Sequence, residues 1–243
     1  MHPIRLLLLA HLTLLLGAPL LRAEPIPAPL YETRSEHDPN GIGKFFLGRE
    51  IAHVMGHQAW GWLERPEREE EERTDLLLEA LAIQPGQTVA DIGAGSGYFS
   101  WRMARKVGDE GRVLAVDIQN EMLEMLMRNM AMRRVEKRVK PVLGTITDPK
   151  LPPNSCDLML MVDVYHEFDH PFEMITAMIS ALKPGGRLVF VEFRLEDPKV
   201  PIKLLHRMSE EQVRKEMRLH PALKFLENKS PLPQQHILIF TRQ

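Results

Sequence analysis

Short apolar runs and stretches of helical periodicity alternate through the middle of the chain. Residues 88–92 form an apolar run of strand length, and residues 98–105 repeat apolar side chains at helical spacing. This alternation continues to residue 193, which predicts an α/β fold with a parallel sheet, and two later apolar runs predict two more strands. The predicted strands are 88–92, 112–117, 139–143, 157–163, 187–193, 223–227 and 236–241, and helices are predicted at 119–137 and 171–182.

The turn between the first of these strands and its helix contains three glycines, Gly93, Gly95 and Gly97. Glycine lets the backbone approach a ligand closely, and the N-terminus of the following helix offers free N–H groups. A dinucleotide-binding turn places its third glycine three residues after the second. Here the interval is two, and Asp91 precedes the first glycine. The spacing therefore argues against a nicotinamide cofactor.

The sequence Asp91-Ile-Gly-Ala-Gly-Ser-Gly97 resembles the first motif of class I S-adenosylmethionine (SAM)-dependent methyltransferases. Residues 112–117, 144–153, 157–163 and 182–190 are similar to later motifs of that family and follow in the same order. The resemblance implies a seven-stranded, mostly parallel, doubly wound sheet over residues 75–243, with SAM as the cofactor. It also implies a set of cofactor-binding residues: Asp91, Gly93, Ala94, Gly95, Gly97, Tyr98, Asp117, Ile118, Thr145, Ile146, Asp148 and Asp163.

Asp117 is the best-defined member of this set. It ends a predicted strand 20 residues after Gly97, where a carboxylate can accept hydrogen bonds from both hydroxyls of a ribose. An acid there also suits the N-terminus of the following helix. By the resemblance, the glycines line the methionine and ribose parts of SAM, and Asp91 contacts its amino-acid end directly or through water. Thr145, Ile146 and Asp148 are expected near the adenine.

The first 23 residues are typical of a signal peptide. A short cationic start precedes an apolar run from Leu6 to Leu21, and Ala23 ends a sequence that resembles a signal-peptidase site. We expect the protein to be exported, to the periplasm, with its signal peptide cleaved and no stable membrane insertion afterwards. An uncleaved membrane anchor is the second interpretation. Export conflicts with the cytoplasmic origin of SAM, and the sequence does not resolve that conflict.

Residues 24–74 are expected to form a strap and a helical cap over the cofactor. By the resemblance, the aromatic and histidine residues of this segment are candidate substrate contacts: Phe45, Phe46, His53, His57, Trp60 and Trp62. The alternative is a helix that packs these aromatics against the sheet. His53 and His57 share one face if helical, but no third metal ligand is adjacent. The charged run from Arg65 to Arg73 is predicted to be a solvated helix face.

The end of the fourth core strand carries the candidate chemistry. His166-Glu-Phe-Asp-His170 matches the H-E-x-x-H zinc pattern, which works only on a helix, whereas here it follows a strand and precedes Pro171. We therefore interpret it as a chance match and assign no metal ligands. Ligands of open α/β sheets lie beyond the strands' carboxyl ends, so the expected acceptor contacts are Asp163, Tyr165, His166 and Glu167. His166 is the predicted base, and a histidine hydrogen-bonded to its own loop is the alternative.

Composition limits the acceptor. The formal net charge of −2 gives no attraction to nucleic acid, and the N-P-P-Y-like signature of nucleic-acid amino-methyltransferases is absent. A small-molecule acceptor is expected because the cap would exclude a large polymer; the oligomeric state stays open. Two other classes remain: a non-catalytic SAM- or nucleoside-binding protein, and a metal-dependent hydrolase that uses His166 and His170. The methionines of helix 119–137 are interpreted as core residues rather than copper ligands.

Overall fold

The computed structural model describes residues 30–243, so the predicted signal peptide of residues 1–23 lies outside the described residues. Over the range it does describe, none of the helices has the length and apolar character needed to cross a membrane. The strands are β1 (Tyr31–Thr33), β2 (Gly41–Phe46), β3 (Arg49–Ala52), β4 (Thr88–Ile92), β5 (Arg112–Asp117), β6 (Val139–Leu143), β7 (Cys156–Val162), β8 (Leu182–Arg194), β9 (Arg207–Met208), β10 (Leu223–Lys229) and β11 (Gln235–Arg242). The α-helices are α1 (Arg68–Glu72), α2 (Thr74–Ala80), α3 (Tyr98–Val107), α4 (Asn120–Met132), α5 (Pro171–Ala181) and α6 (Glu210–Met217).

The main sheet has the predicted architecture. Seven strands lie in the order β10-β11-β8-β7-β4-β5-β6, and the two-residue β9 pairs with β8. The strands from β8 to β6 are parallel, while the β10–β11 hairpin and the β11–β8 pair are antiparallel. The mostly parallel, doubly wound sheet is thereby confirmed.

Helices cover both faces of this sheet, which explains why its central strands are apolar throughout. One core joins α2, α3 and α4 to the sheet, with Leu77, Met103 and Leu126 among its buried residues. The other core joins α5 and α6 to the opposite face through residues such as Ile175 and Val213. Methionines of α4 lie in this packing: Met122 and Met130 are buried, whereas Met132 is 75% exposed.

The N-terminal segment differs from the helical cap that we expected. Residues 31–52 form a three-stranded antiparallel sheet in the order β1-β2-β3, and a 3-10 helix, His57–Trp62, follows it. Leu47 and Gly48, both at positive φ, connect β2 to β3 in the manner of a primed hairpin turn. Leu-Gly lacks the Asn-Gly or Asp-Gly signature of such turns, so the sequence gives no hairpin signal here. Within the segment 24–74 that we expected to form a strap and a helical cap, residues 41–46 and 49–52 are therefore strands. Helices α1 and α2 do follow in residues 68–80.

Candidate functional site

A cavity of about 420 Å³ lies beyond the carboxyl ends of β4, β5 and β7. Its floor comes from the turns after these strands, where open α/β sheets bind ligands. Its roof comes from the segment between β3 and α2, through Val54, Met55, Trp62, Leu63, Arg68 and Glu72. The other lining residues include His166, Glu167, Asp169, Lys203 and His206.

The glycine turn presents bare backbone to the cavity. Gly93 and Gly95 have φ values of +70° and +52°, which side chains rarely adopt. A Cβ on Gly93 would lie 2.4 Å from Val164 Cγ2, and one on Gly95 would lie 2.5 Å from Leu63 Cδ1. Glycine at both positions therefore keeps this end of the cavity open and its roof close.

Asp117 lies at the end of β5, lines the cavity and is 7% exposed. Its Oδ2 accepts a hydrogen bond from the Gly95 N–H at 2.9 Å, and its Oδ1 accepts one from Gln119 N–H at 2.9 Å. Burial raises the pKa of this carboxyl above its ordinary value despite those bonds. The carboxylate is thus held rigidly against the glycine turn, with its remaining lone pairs available to hydroxyl groups.

Asp163 follows β7 and leaves one buried oxygen without a partner. Its Oδ2 accepts from Gln235 Nε2 at 2.7 Å, but Oδ1 has no hydrogen-bond partner among residues 30–243. Burial, with a further contribution from Glu72, raises the pKa of Asp163 well above its usual range. Buried polar atoms in native proteins nearly always have partners. A ligand ammonium or hydroxyl in the adjoining cavity would supply the missing one.

Two residues of the charged run are buried, contrary to the sequence prediction. Arg68 and Glu72 are 5% and 2% exposed and line the cavity roof. Arg68 Nε donates to Glu72 Oε2 at 3.0 Å, and its Nη1 donates to the Leu63 carbonyl at 2.9 Å. Arg65 donates to the other Glu72 oxygen at 2.6 Å. The mutual pairing allows both charges to be buried, which the charge pattern alone did not reveal.

His166, Glu167 and His206 meet in the lining of the cavity. His166 Nε2 lies 3.0 Å from His206 Nδ1, and Glu167 Oε1 lies 3.9 Å from His166 Nε2 and 3.8 Å from His206 Nδ1. Burial lowers the pKa of both imidazoles to about 4 and raises that of Glu167 to about 7. At neutral pH both histidines are therefore uncharged, and one of the two facing nitrogens donates its N–H to the other.

Glu192 on β8, a fully buried carboxyl, contacts His166 on the side away from His206. Its Oε2 lies 2.6 Å from His166 Nδ1, and its Oε1 accepts from the Tyr165 N–H at 3.0 Å. Burial raises the pKa of Glu192 to about 8. Both ring nitrogens of His166 therefore have partners within the protein, and its role as the base stays a prediction.

Tyr165 does not contact the cavity. Its side chain is fully buried, its ring packs edge-on against Phe190, and its hydroxyl donates to Glu216 Oε2 at 2.6 Å. This placement corrects the prediction that Tyr165 contacts the acceptor, because the 3-10 turn Tyr165–Glu167 directs the ring into the core.

Other predicted cofactor residues lie around the cavity rather than in it. The Asp91 carboxylate accepts from Ser100 at 2.6 Å beneath the turn, and the Tyr98 hydroxyl bonds Glu69 on α1. Ile118 and Ile146 line the cavity, whereas Asp148 is paired with Lys150 on an outer loop. The following predicted cofactor residues do not line the cavity: Asp91, Ala94, Gly97, Tyr98, Thr145 and Asp148.

The predicted substrate contacts in the N-terminal segment are only partly met. Trp62 lines the cavity, but Trp60 is exposed, and Phe45 packs beneath the Arg34 guanidinium instead. His53 and His57 are not on one helix, because His57 begins the 3-10 helix after an irregular stretch. The lining therefore excludes Phe45, Phe46, His53, His57 and Trp60.

The H-E-x-x-H residues do not have the helical arrangement that the zinc pattern requires. His166 belongs to a 3-10 turn and His170 precedes α5, so the two histidines do not share a helix. The His170 ring instead packs edge-on against Tyr31, 6.0 Å away. The histidine that meets His166 is His206, and no local sequence pattern links two residues 40 positions apart.

Comparisons with known proteins agree with the fold. Residues 83–234 match a protein family described as a methyltransferase domain. Over 118 residues the chain is 30% identical to the ubiquinone/menaquinone biosynthesis C-methyltransferase UbiE of Pseudomonas putida, a match that covers 49% of this chain and 46% of that protein. The chain thus spans about half the length of the curated relatives it matches.

Solved structures share the architecture at low sequence identity. A SAM-dependent methyltransferase from Aquifex aeolicus has a TM-score of 0.73 and 20% identity, covering 78% of this chain and all of that one. An O-methyltransferase family 2 protein from Planctomyces limnophilus, solved with apigenin, has a TM-score of 0.62 and 18% identity; the similarity covers 78% of this chain and 62% of that protein. At these identities the likeness concerns the fold.

Proposed function

The chain belongs to the methyltransferase domain family, whose cofactor is SAM, and we propose that it transfers the methyl group of SAM to a small-molecule acceptor. One observation supports this most directly. A single roofed cavity is lined both by the glycine turn and Asp117 and by His166, Glu167 and His206. A cofactor and an acceptor can therefore lie side by side in it.

The groups at the glycine end fit SAM chemically. Asp117 would hold the ribose hydroxyls, and the exposed apolar surfaces of Ile118 and Ile146 would flank the adenine. The unpartnered Oδ1 of Asp163 would accept from the ammonium group. Bare backbone at Gly93 leaves room for the chain that joins them.

SAM supplies an electrophilic methyl group on a sulfonium, so the protein mainly aligns two reactants and manages a proton. Glu167, beside His206, provides the basic oxygen next to the acceptor. Burial places the pKa of Glu167 at about 7, which suits proton uptake near neutral pH. His166 acts behind them by positioning His206 through their 3.0 Å contact.

The first test is calorimetric titration of the purified chain with SAM. Asp117→Asn keeps one of the two oxygens that accept from the backbone and loses charged hydrogen bonds to the ribose, worth about 1.5–3 kcal/mol. We expect the Kd to rise roughly 10- to 150-fold. Asp109→Asn, at an 83% exposed aspartate beside Arg138, is the matched control and should bind normally.

The result also separates the alternatives. A folded wild type that binds no SAM would refute the proposal. SAM binding without product from hydroxyl- or carbon-nucleophile acceptors would instead favour the non-catalytic binding protein.

We further propose that the protein is exported, on the strength of the apolar run Leu6–Leu21 and the processing sequence at Ala23. N-terminal sequencing of the periplasmic fraction tests this: a mature chain that begins at Glu24 is expected. An intact chain confined to the cytoplasm would contradict export and remove the question of SAM supply.

A further inference from the structure

Three potential ligand atoms converge at the acceptor end of the cavity. They are His166 Nε2, His206 Nδ1 and Glu167 Oε1, with pairwise separations of 3.0, 3.8 and 3.9 Å. Metal bonds of about 2.0–2.2 Å at tetrahedral angles separate ligand atoms by roughly 3.3–3.6 Å. The three atoms therefore need only a few tenths of an ångström of adjustment to share one ion.

We propose that His166, Glu167 and His206 bind a divalent transition-metal ion. Two imidazoles and a carboxylate suit zinc, iron(II), cobalt or nickel, whereas magnesium and calcium prefer all-oxygen ligands. Among the residues that the structure describes, these three form the group of metal-ligating side chains whose atoms lie within 4.8 Å of one another.

The surroundings of His166 have the second layer of contacts that metal sites require. Glu192, which is fully buried, contacts Nδ1 at 2.6 Å and so directs Nε2 toward His206 and Glu167. The backbone of the same turn is fixed twice more: Tyr165 N–H donates to Glu192, and the His166 carbonyl accepts from Arg49. A carboxylate behind a ligating histidine fixes its ring and raises its basicity.

The remaining coordination positions face the cavity. All three ligand residues line it, and His206 is 26% exposed, so an ion could enter from solvent and retain an open position. Three protein ligands with an open position are typical of catalytic rather than structural metal sites.

A role for the ion follows from its place and rests on the proposed function; binding of the ion does not. An acceptor that carries an oxygen donor beside the methylated atom would fill the open position. The cluster would then act on that acceptor as a Lewis acid rather than as a general base.

The test is zinc titration of the full chain after chelator treatment, followed by elemental analysis of the dialysed protein. We expect saturable binding of one Zn²⁺ per chain. His206→Ala should weaken it more than about 100-fold, because a direct ligand matters more than an outer contact, for which the loss is about 10- to 100-fold. Glu192→Gln should weaken zinc binding by that smaller factor, about 10- to 100-fold. Co²⁺ should give a visible absorption band that His206→Ala abolishes.

His170→Ala is the matched control, because it removes a histidine from the same H-E-x-x-H sequence but outside the cluster. It should bind zinc like the wild type. Glu167→Gln removes the charge of a second proposed ligand and should also weaken zinc binding. Circular dichroism checks that each variant is folded. Wild-type protein that binds no zinc, or equal losses in His170→Ala and His206→Ala, would overturn the proposal.

SAM titration of the same samples keeps the two proposals separate. Zinc binding without SAM binding would support the metal site and refute the methyltransferase proposal. SAM binding without zinc binding would support the methyltransferase proposal and refute the metal site.

Discussion

Arg49 on β3 connects the small N-terminal sheet to the rest of the protein, and substituting it tests that connection. Its guanidinium donates to both Glu216 oxygens on α6, at 2.8 and 3.2 Å, and to the His166 carbonyl at 3.1 Å. The side chains of Arg49 and Glu216 are 10% and 0% exposed. Arg49→Met keeps the apolar stem and removes the charge, so that Glu216 stays buried without its counterion.

The loss should be large, because the remaining partners of Glu216 are both neutral. They are the Tyr165 hydroxyl at 2.6 Å and Gln212 Nε2 at 2.8 Å. Removing one partner of a buried pair costs about 3–5 kcal/mol. For a domain of this size, that corresponds to a fall in Tm of roughly 6–20 °C. Arg34→Met breaks an exposed pair with Glu32 and should cost about 1 kcal/mol or less.

Urea unfolding followed by circular dichroism measures these differences. The double variant Arg49→Met/Glu216→Leu removes both charges and should recover much of the stability lost by Arg49→Met. A loss below about 1 kcal/mol in Arg49→Met would refute the assignment of Arg49 as a buried counterion, since that value is typical of surface pairs. Strict additivity in the double variant would contradict it as well.

Two further predictions concern the glycine turn. Burial raises the pKa of Asp91 to about 6 from 3.8, so the folded state binds more protons and its stability falls as pH rises from about 4 to 6. Asp91→Asn should remove that fall in the free energy of unfolding, which is on the order of 3 kcal/mol. Urea titrations at several pH values measure it, and parallel pH profiles for the wild type and the variant would rule the effect out. Gly93→Ala should destabilise the fold by about 1–2 kcal/mol or more and weaken SAM binding, because φ is positive and Val164 is in the way. Gly86→Ala has the same φ constraint in open space, so calorimetry should show normal SAM binding; equal binding defects in both variants would remove Val164 from the explanation.

The sequence predicts the main sheet well because its signals are local. The strand from Thr88 to Ile92, the glycine turn and the closing hairpin each follow from periodicity or from spacing within a few residues. Asp117 was identified for the same reason, since the end of a strand fixes where its side chain lies.

The rest of the site depends on contacts between distant segments. Arg68 and Glu72 have the charge pattern of a surface helix, and only the pairing between them, with Leu63 above, permits burial. His206 meets His166 because β9 pairs with β8 and brings the preceding turn to the cavity. Tyr165 was misassigned because a strand end predicts the location of a turn but not the direction of each side chain within it.

The roof of the cavity has a different origin from its floor. Val54, Met55, Trp62, Leu63, Arg68 and Glu72 all precede residue 83, where the match to the methyltransferase domain family begins. The floor, with Asp117, Asp163 and His166, lies within the matched region. Acceptor preference could therefore diverge through changes in some fifty N-terminal residues while the cofactor half stays constant. A chimaera that exchanges only residues 31–82 with another family member should transfer substrate choice.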